Sequence, residues 1–243
     1  MSPSGERIEV LRKISLKVPK GQFVTVLGPS GCGKTTLLKL VAGLVVPSFG
    51  RILVDQIALT RPSCKLGYVP QAYSLFPWLT VSGNIEYGLR QLGTLARERQ
   101  NRVDQMLSLV GLVEFRSYYP RSLSGGMQQR VAIARALAPN PDILLMDEPF
   151  AALAIEQRQA MQVALQSIWM KTGKTIIFVT HDLSEAIYLS DTVYVMSDRP
   201  GSLIGAREIP LPRPREIAAR EGPEFFGVYK ELVSLTSSSE GFK

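Results

Sequence analysis

Phe23-Val24-Thr25-Val26-Leu27-Gly28-Pro29-Ser30-Gly31-Cys32-Gly33-Lys34-Thr35-Thr36 is the stretch that decides the fold. Five strand-prone residues run into a glycine-rich turn at 28–33 and then into a helix-compatible run over 34–44, which makes a strand-loop-helix unit. Residues 28–35 satisfy G-x-x-x-x-G-K-[ST] at every required position, with the strand before and the helix after that the motif's chemistry needs. The glycines let successive backbone N–H groups turn inward around an anion, and the following helix points its positive end at the same charge. Lys34 adds a mobile cation for β- and γ-phosphates, and the Thr35 hydroxyl can ligate Mg²⁺. The candidate phosphate cradle is therefore Gly28, Pro29, Ser30, Gly31, Cys32, Gly33, Lys34 and Thr35, with Thr36 beside them.

Further along, Ile143-Leu144-Leu145-Met146 and Ile176-Ile177-Phe178-Val179 read as short, fully buried strands of a parallel sheet, each beside a helical stretch. Together with the opening unit they predict an α/β core. Residues 72–138 change character, with helix expected over 81–92, over 96–110 and after Gly125-Gly126. A mostly helical lobe inserted into one α/β domain is the simplest account. A tail from about 198 to 243 combines extended segments, the proline-rich Ile209-Pro210-Leu211-Pro212-Arg213-Pro214, and a short helix expected over 223–235. Asp147 and Glu148 close the strand at 143–146, at the carboxyl end where open α/β sheets bind ligands. Asp147 suits holding Mg²⁺ through water, and Glu148 suits polarising an attacking water as general base.

The 243 residues, 45% of them hydrophobic, are enough to bury a sizeable core and exclude general disorder. No run reaches the roughly 18–20 apolar residues that cross a bilayer, and Met1-Ser2-Pro3-Ser4-Gly5 opens no apolar signal core, so a chain that stays in the cytoplasm is expected. Two cysteines, Cys32 and Cys64, are too few for a disulfide framework. The formal charge of +7 calls for an anionic partner, either nucleotide, an acidic membrane surface or nucleic acid. No dense basic block with interleaved aromatics supports specific nucleic-acid binding.

Leu123-Ser124-Gly125-Gly126-Met127-Gln128-Gln129-Arg130 places a serine before two glycines at a helix start. Combined with the loop, Gln71, Asp147-Glu148-Pro149 and His181 after the last strand, it resembles the nucleotide-binding subunits of ATP-binding cassette (ABC) transporters, from about residue 5 to 215. The resemblance implies a P-loop NTPase core of ABC type, ATP and Mg²⁺ as cofactors, and ATP hydrolysis coupled to transport. It gives Gln71 the role of a catalytic glutamine that touches Mg²⁺ and reports to the permease. Ser124, Gly125 and Gly126 fall on the signature motif, which in this family reaches the ATP held by the opposite subunit, and His181 on the switch histidine at the γ-phosphate. The implied partners are a second ATPase subunit, a transmembrane permease and, indirectly, a periplasmic solute-binding protein, which sets the chain peripherally on the cytoplasmic face of the membrane. Leu75-Phe76-Pro77-Trp78-Leu79-Thr80-Val81 and Ser197-Asp198-Arg199-Pro200-Gly201 look like the branch serving nitrate, sulfonate and taurine importers.

Two stretches depart from that pattern. Where relatives follow Ala-Leu with aspartate, this chain reads Ala151-Ala152-Leu153-Ala154, and the aromatic residue that stacks on adenine has no counterpart near Ser4. The departures leave open an ATP-binding regulatory subunit with weak turnover, and a soluble cassette ATPase acting on nucleic acid is the other rival. Glu148 speaks against the first, and the missing coiled coil or second cassette against the second.

Overall fold

The computed structural model of the chain describes residues 8–237, which divide into two compact units, residues 8–62 with 177–237 and residues 63–176. The first unit opens with β1 (Phe23–Leu27), α1 (Lys34–Val41) and a short hairpin of β2 (Leu53–Val54) and β3 (Ile57–Ala58). The second holds β4 (Leu66–Val69), α2 (Val81–Gln91), α3 (Ala96–Val110), α4 (Gly125–Leu137), β5 (Ile143–Asp147) and α5 (Ile155–Thr172). The first then resumes with most of β6 (Thr175–Thr180), followed by α6 (Leu183–Leu189), β7 (Thr192–Met196), β8 (Leu203–Glu208) and α7 (Pro223–Ser237).

In the first unit the strands lie in the order β6-β1-β7-β8. All five residues of β1 are buried, because a strand covered on both faces has no wet side to spend on polar residues. It runs parallel to β7, from Val24 opposite Thr192 to Leu27 opposite Val195. β8 is antiparallel to β7, and its residues alternate between half-buried and exposed, the pattern of an edge strand with one solvated face. α1 stops at Val41, short of the expected end at 44, because Gly43 takes φ 71°, a left-handed turn that ends the helix. The C-terminal helix is longer than expected, filling 223–237 as α7.

After β8 the chain folds back onto the carboxyl end of α6. The buried Arg215 guanidinium donates to the carbonyls of Ile187, Tyr188 and Ser190 at 2.8–3.0 Å, and the Tyr188 hydroxyl returns a bond to the Arg215 carbonyl at 2.7 Å. Ile187 and Tyr188 carry two of the last carbonyls of α6 and Ser190 is its C-cap, positions whose carbonyls have no partner inside the helix. Burial pushes the Arg215 guanidinium down to about 10, so it stays charged at neutral pH. Arg213 adds a bond to Asp191, whose other carboxylate oxygen accepts the Phe23 backbone N–H.

In the second unit β4 and β5 pair in parallel, from Leu66 opposite Ile143 to Val69 opposite Met146. The three helices expected between them form and pack on one another, and α4 also packs on β4. Thr80 caps α2 through its hydroxyl, which accepts the Gly83 N–H at 3.1 Å. Among the described residues no helix is long and apolar enough to cross a membrane. The adenine-stacking position near Ser4 lies outside the described residues.

Candidate functional site

In the first unit the loop that follows β1 is shaped by its glycines. Gly31 and Gly33 take φ 81° and 107°, and a Cβ on Gly33 would stand 2.7 Å from the Leu11 side chain. Such left-handed residues between ordinary ones turn neighbouring N–H groups toward a common centre, where an anion can sit. Gly33 is also the residue that opens α1, which aligns the helix's positive end with that centre. The Lys34 ammonium curls back over the loop, donating to the carbonyls of Gly28 and Pro29 at 2.8 Å each. Thr35 is exposed, while Cys32 is buried and its thiol is pushed up by desolvation, so it acts as packing and not as a nucleophile.

Behind the loop stands Gly201. A Cβ there would overlap the Cys32 carbonyl oxygen and press on the Met196 side chain, and its backbone bonds Val10 and Arg12 at 2.9 and 2.8 Å. The loop is thus braced from below by a residue far along the chain. The sequence offers Gly201 only as part of a branch motif, and nothing in its spacing announces a role at the phosphate loop.

The Gly28 N–H bonds the Thr180 carbonyl at 3.3 Å, which sets the start of the loop against the end of β6 and so close in the chain to His181. His181 is exposed. Its turn is stiffened on both sides: the Thr180 hydroxyl donates to Glu185 at 2.7 Å and accepts the Asp182 N–H at 3.0 Å, and Asp182 caps α6 by accepting the Glu185 N–H at 2.9 Å.

In the second unit the parallel pair β4–β5 carries Gln71, Asp147 and Glu148 to its carboxyl end. Asp147 is 4% exposed, and the Tyr68 hydroxyl on β4 donates to its Oδ2 at 3.0 Å. Burial and the neighbouring carboxylate hold the Tyr68 hydroxyl well above its ordinary range, so it remains a donor. Glu148 adopts φ 41° immediately before Pro149. For a non-glycine residue this is a strained backbone, of order 1 kcal/mol or more, and it persists only where the surroundings enforce it. Gln71 is exposed, two residues past the end of β4.

Ser124 caps α4, its Oγ accepting the Met127 N–H at 3.3 Å, so the two glycines after it form the helix's first turn. A Cβ on Gly125 would stand 3.2 Å from both Leu153 Cδ2 and the Tyr73 hydroxyl. The stretch just beyond Gln71 therefore lies against the first turn of α4. Ala154 occupies the N-cap position of α5 and offers no side-chain bond there.

Each unit carries a hard oxygen donor of the kind expected at a cation, the Thr35 hydroxyl in the first and the Asp147 carboxylate in the second. Among the described residues no cluster of three or more His, Cys, Asp or Glu side chains is placed to hold a metal ion. Mg²⁺ needs no such cluster, because it takes one or two protein oxygens and completes its octahedron with phosphate oxygens and water. The chemistry of these donors fits a cation that arrives with a nucleotide.

Residues 11–151 match the family model described as ABC transporter. The chain is 44% identical over 239 residues to the nitrate import ATP-binding protein of Synechocystis sp., covering 96% of this chain and 90% of that one. It is 44% identical over 246 residues to the taurine import ATP-binding protein of Rhizobium johnstonii, covering 98% and 93%. Among solved structures it is similar to a dimeric ATP-binding cassette in a post-hydrolysis state bound to ADP and Pi, with a TM-score of 0.73 and 32% identity over 86% of this chain and 94% of that one. A family match over more than half the length, together with these relatives and the dimeric cassette, shows that the chain belongs to the ABC transporter family, as an ATP-binding and ATP-hydrolysing subunit of α/β fold.

Proposed function

We propose that the chain energises import of a small solute of the nitrate, sulfonate or taurine class, as one of two paired ATPase subunits on the cytoplasmic face of a membrane. A permease carries the solute, and a periplasmic solute-binding protein delivers it. Support comes from the nitrate and taurine import relatives and from the dimeric cassette. The exposed aromatic step around Trp78, 70% accessible and packed at a tilt against Phe76 with ring centres 5.5 Å apart, suits a permease contact. The chain acts as one ABC domain, with residues 72–138 as its helical lobe and no role for nucleic acid.

In this assignment residues 28–36 hold the phosphates of ATP, with Lys34 neutralising the β- and γ-oxygens. Ser124, Gly125 and Gly126 contact the ATP of the facing subunit, which is why two subunits are needed. Thr35, Gln71 and Asp147 hold Mg²⁺, which when bound offsets charge on the phosphoryl oxygens. Glu148 takes the proton of the attacking water, and His181 steadies the γ-phosphate.

The observation that carries the catalytic assignment is the strained Glu148 backbone beside a carboxylate fixed by Tyr68. A subunit that only bound ATP gains nothing by holding an acid in a costly conformation. Glu148→Gln keeps ATP binding and slows hydrolysis by roughly 10²- to 10⁴-fold, the usual worth of a positioned base, whereas Lys34→Ala removes most binding. Single-turnover hydrolysis and nucleotide titration measure the two. Unaltered turnover in Glu148→Gln assigns the base elsewhere, and unchanged affinity in Lys34→Ala removes the loop from the site. Uptake of nitrate, taurine and alkanesulfonate by proteoliposomes holding the subunit and its permease tests the solute class, and activity only on an unrelated solute would reject it.

A further inference from the structure

Tyr68 belongs to none of the motifs that mark the site, yet its side chain reaches one of the carboxylates that does. It sits on β4 opposite Leu145 of β5. Side chains alternate along a strand, so Asp147, two residues beyond Leu145, projects from the same face of the pair as Tyr68. The phenol spans that two-residue offset and ends 3.0 Å from Oδ2 of Asp147. Phenylalanine would fill the same space, so the hydroxyl has another use than packing.

A carboxylate can rotate about its Cβ–Cγ bond and present either oxygen, alone or both together. A donor fixed on the neighbouring strand removes that freedom. It also does so from a rigid element: Tyr68 lies within a paired strand, and Asp147 is the final residue of another. Outer groups that orient a metal ligand in this way set both its angle and its basicity, and their loss commonly costs about 10- to 100-fold in metal affinity.

We propose that Tyr68 is a positioning residue for the divalent cation: its hydroxyl engages Oδ2 of Asp147 and so fixes the direction from which that carboxylate meets the cation or its water. This rests on the proposal that Asp147 holds Mg²⁺. In this assignment Tyr68 acts only through Asp147. Its contribution is to let a single carboxylate act as a monodentate ligand with one defined direction, which the strict octahedral geometry of Mg²⁺ requires. A larger, more permissive ion such as Ca²⁺ gains less from that direction.

The test uses the full-length subunit with a non-hydrolysable ATP analogue. Mn²⁺ binding is followed by electron paramagnetic resonance, nucleotide binding is measured in excess chelator, and thermal melts are recorded in parallel. Tyr68→Phe should weaken Mn²⁺ binding about tenfold, leave nucleotide affinity in chelator unchanged, and narrow the preference for Mg²⁺ over Ca²⁺. Asp147→Asn should weaken Mn²⁺ binding further. If Asp147→Asn weakens the metal while Tyr68→Phe matches wild type, the positioning role is wrong and the assignment of Asp147 survives. If neither variant changes Mn²⁺ binding, the assignment of Asp147 fails and the inference falls with it. A Tyr68→Phe protein that melts earlier but binds metal and nucleotide normally reduces the bond to a structural one and likewise overturns the proposal.

Discussion

Gly201 and Cys32 meet through atoms that have no chemistry of their own, yet their contact leaves no room for a methyl group beside the loop at 28–33. A methyl group at Gly201 would overlap the Cys32 carbonyl oxygen, and the obstacle is backbone, which cannot swing aside as a flexible side chain does. Gly201→Ala should therefore cost about 1–3 kcal/mol, the usual range for overpacking. Because the strain falls on the loop itself, affinity for an ATP analogue should drop together with the melting temperature. A variant that melts and binds like wild type would show that the loop is held from elsewhere. Spacing alone singles out Lys34, Thr35, Asp147 and Glu148 as candidates, since the chemistry proposed for them needs fixed offsets within one strand-loop-helix or strand-end unit. It does not reveal Gly201, nor Tyr68 opposite Asp147, because both act across long stretches of chain, and only the register of neighbouring strands brings them to their partners.

Helices with strong end signals are the elements most legible in the sequence. α3 runs over 96–110 as expected, closed by Gly111 at φ 69°, and α2 begins at its Thr80 cap. β4 carries no comparable signal: Leu66-Gly67-Tyr68-Val69 is four residues long and contains a glycine, too little periodicity to register against a helical neighbourhood. α5 presents the opposite case, a helix whose start lacks the usual cap. Ala154 has the extended backbone of an N-cap, φ −62° and ψ 156°, without an oxygen to use it. Ala154→Asp should supply that bond and stabilise the protein by about 1 kcal/mol in chemical denaturation. The same acid resembles the cross-dimer contact of relatives, so it should also raise turnover or the Hill coefficient of ATP hydrolysis. Added stability with an unchanged Hill coefficient, together with lost cooperativity in Glu156→Ala, would confine the introduced carboxylate to a local cap and leave the coupling with Glu156.

At the scale of the whole molecule, a transporter subunit has to serve a permease as well as a nucleotide, and the exposed aromatic step is the surface proposed for the permease. Phe76, Trp78 and Tyr87 form a cluster of tilted rings, with ring centres 5.5 and 4.4 Å from Phe76 and the Arg135 guanidinium over the Phe76 ring at 5.4 Å. Asn84, fully buried, ties the stretch from beneath by bonding the carbonyls of Phe76, Leu79 and Thr80. Trp78→Ala should therefore leave the basal ATPase rate of the isolated subunit within about twofold while lowering permease-stimulated hydrolysis by roughly tenfold or more, as expected when an aromatic anchor worth about 2 kcal/mol is lost. Equal stimulation of wild type and variant in proteoliposomes would move the docking surface elsewhere. The tail clasp on α6 carries a consequence for ionic strength. Arg215 is held by carbonyl dipoles inside the protein, so dissolved salt has little field to screen there. The exposed Arg207–Glu231 pair between β8 and α7 has no such shelter. In molar salt the outer fastening of the C-terminal region should slacken while the segment through Arg215 stays seated, leaving a protein whose clasp on α6 tolerates brine.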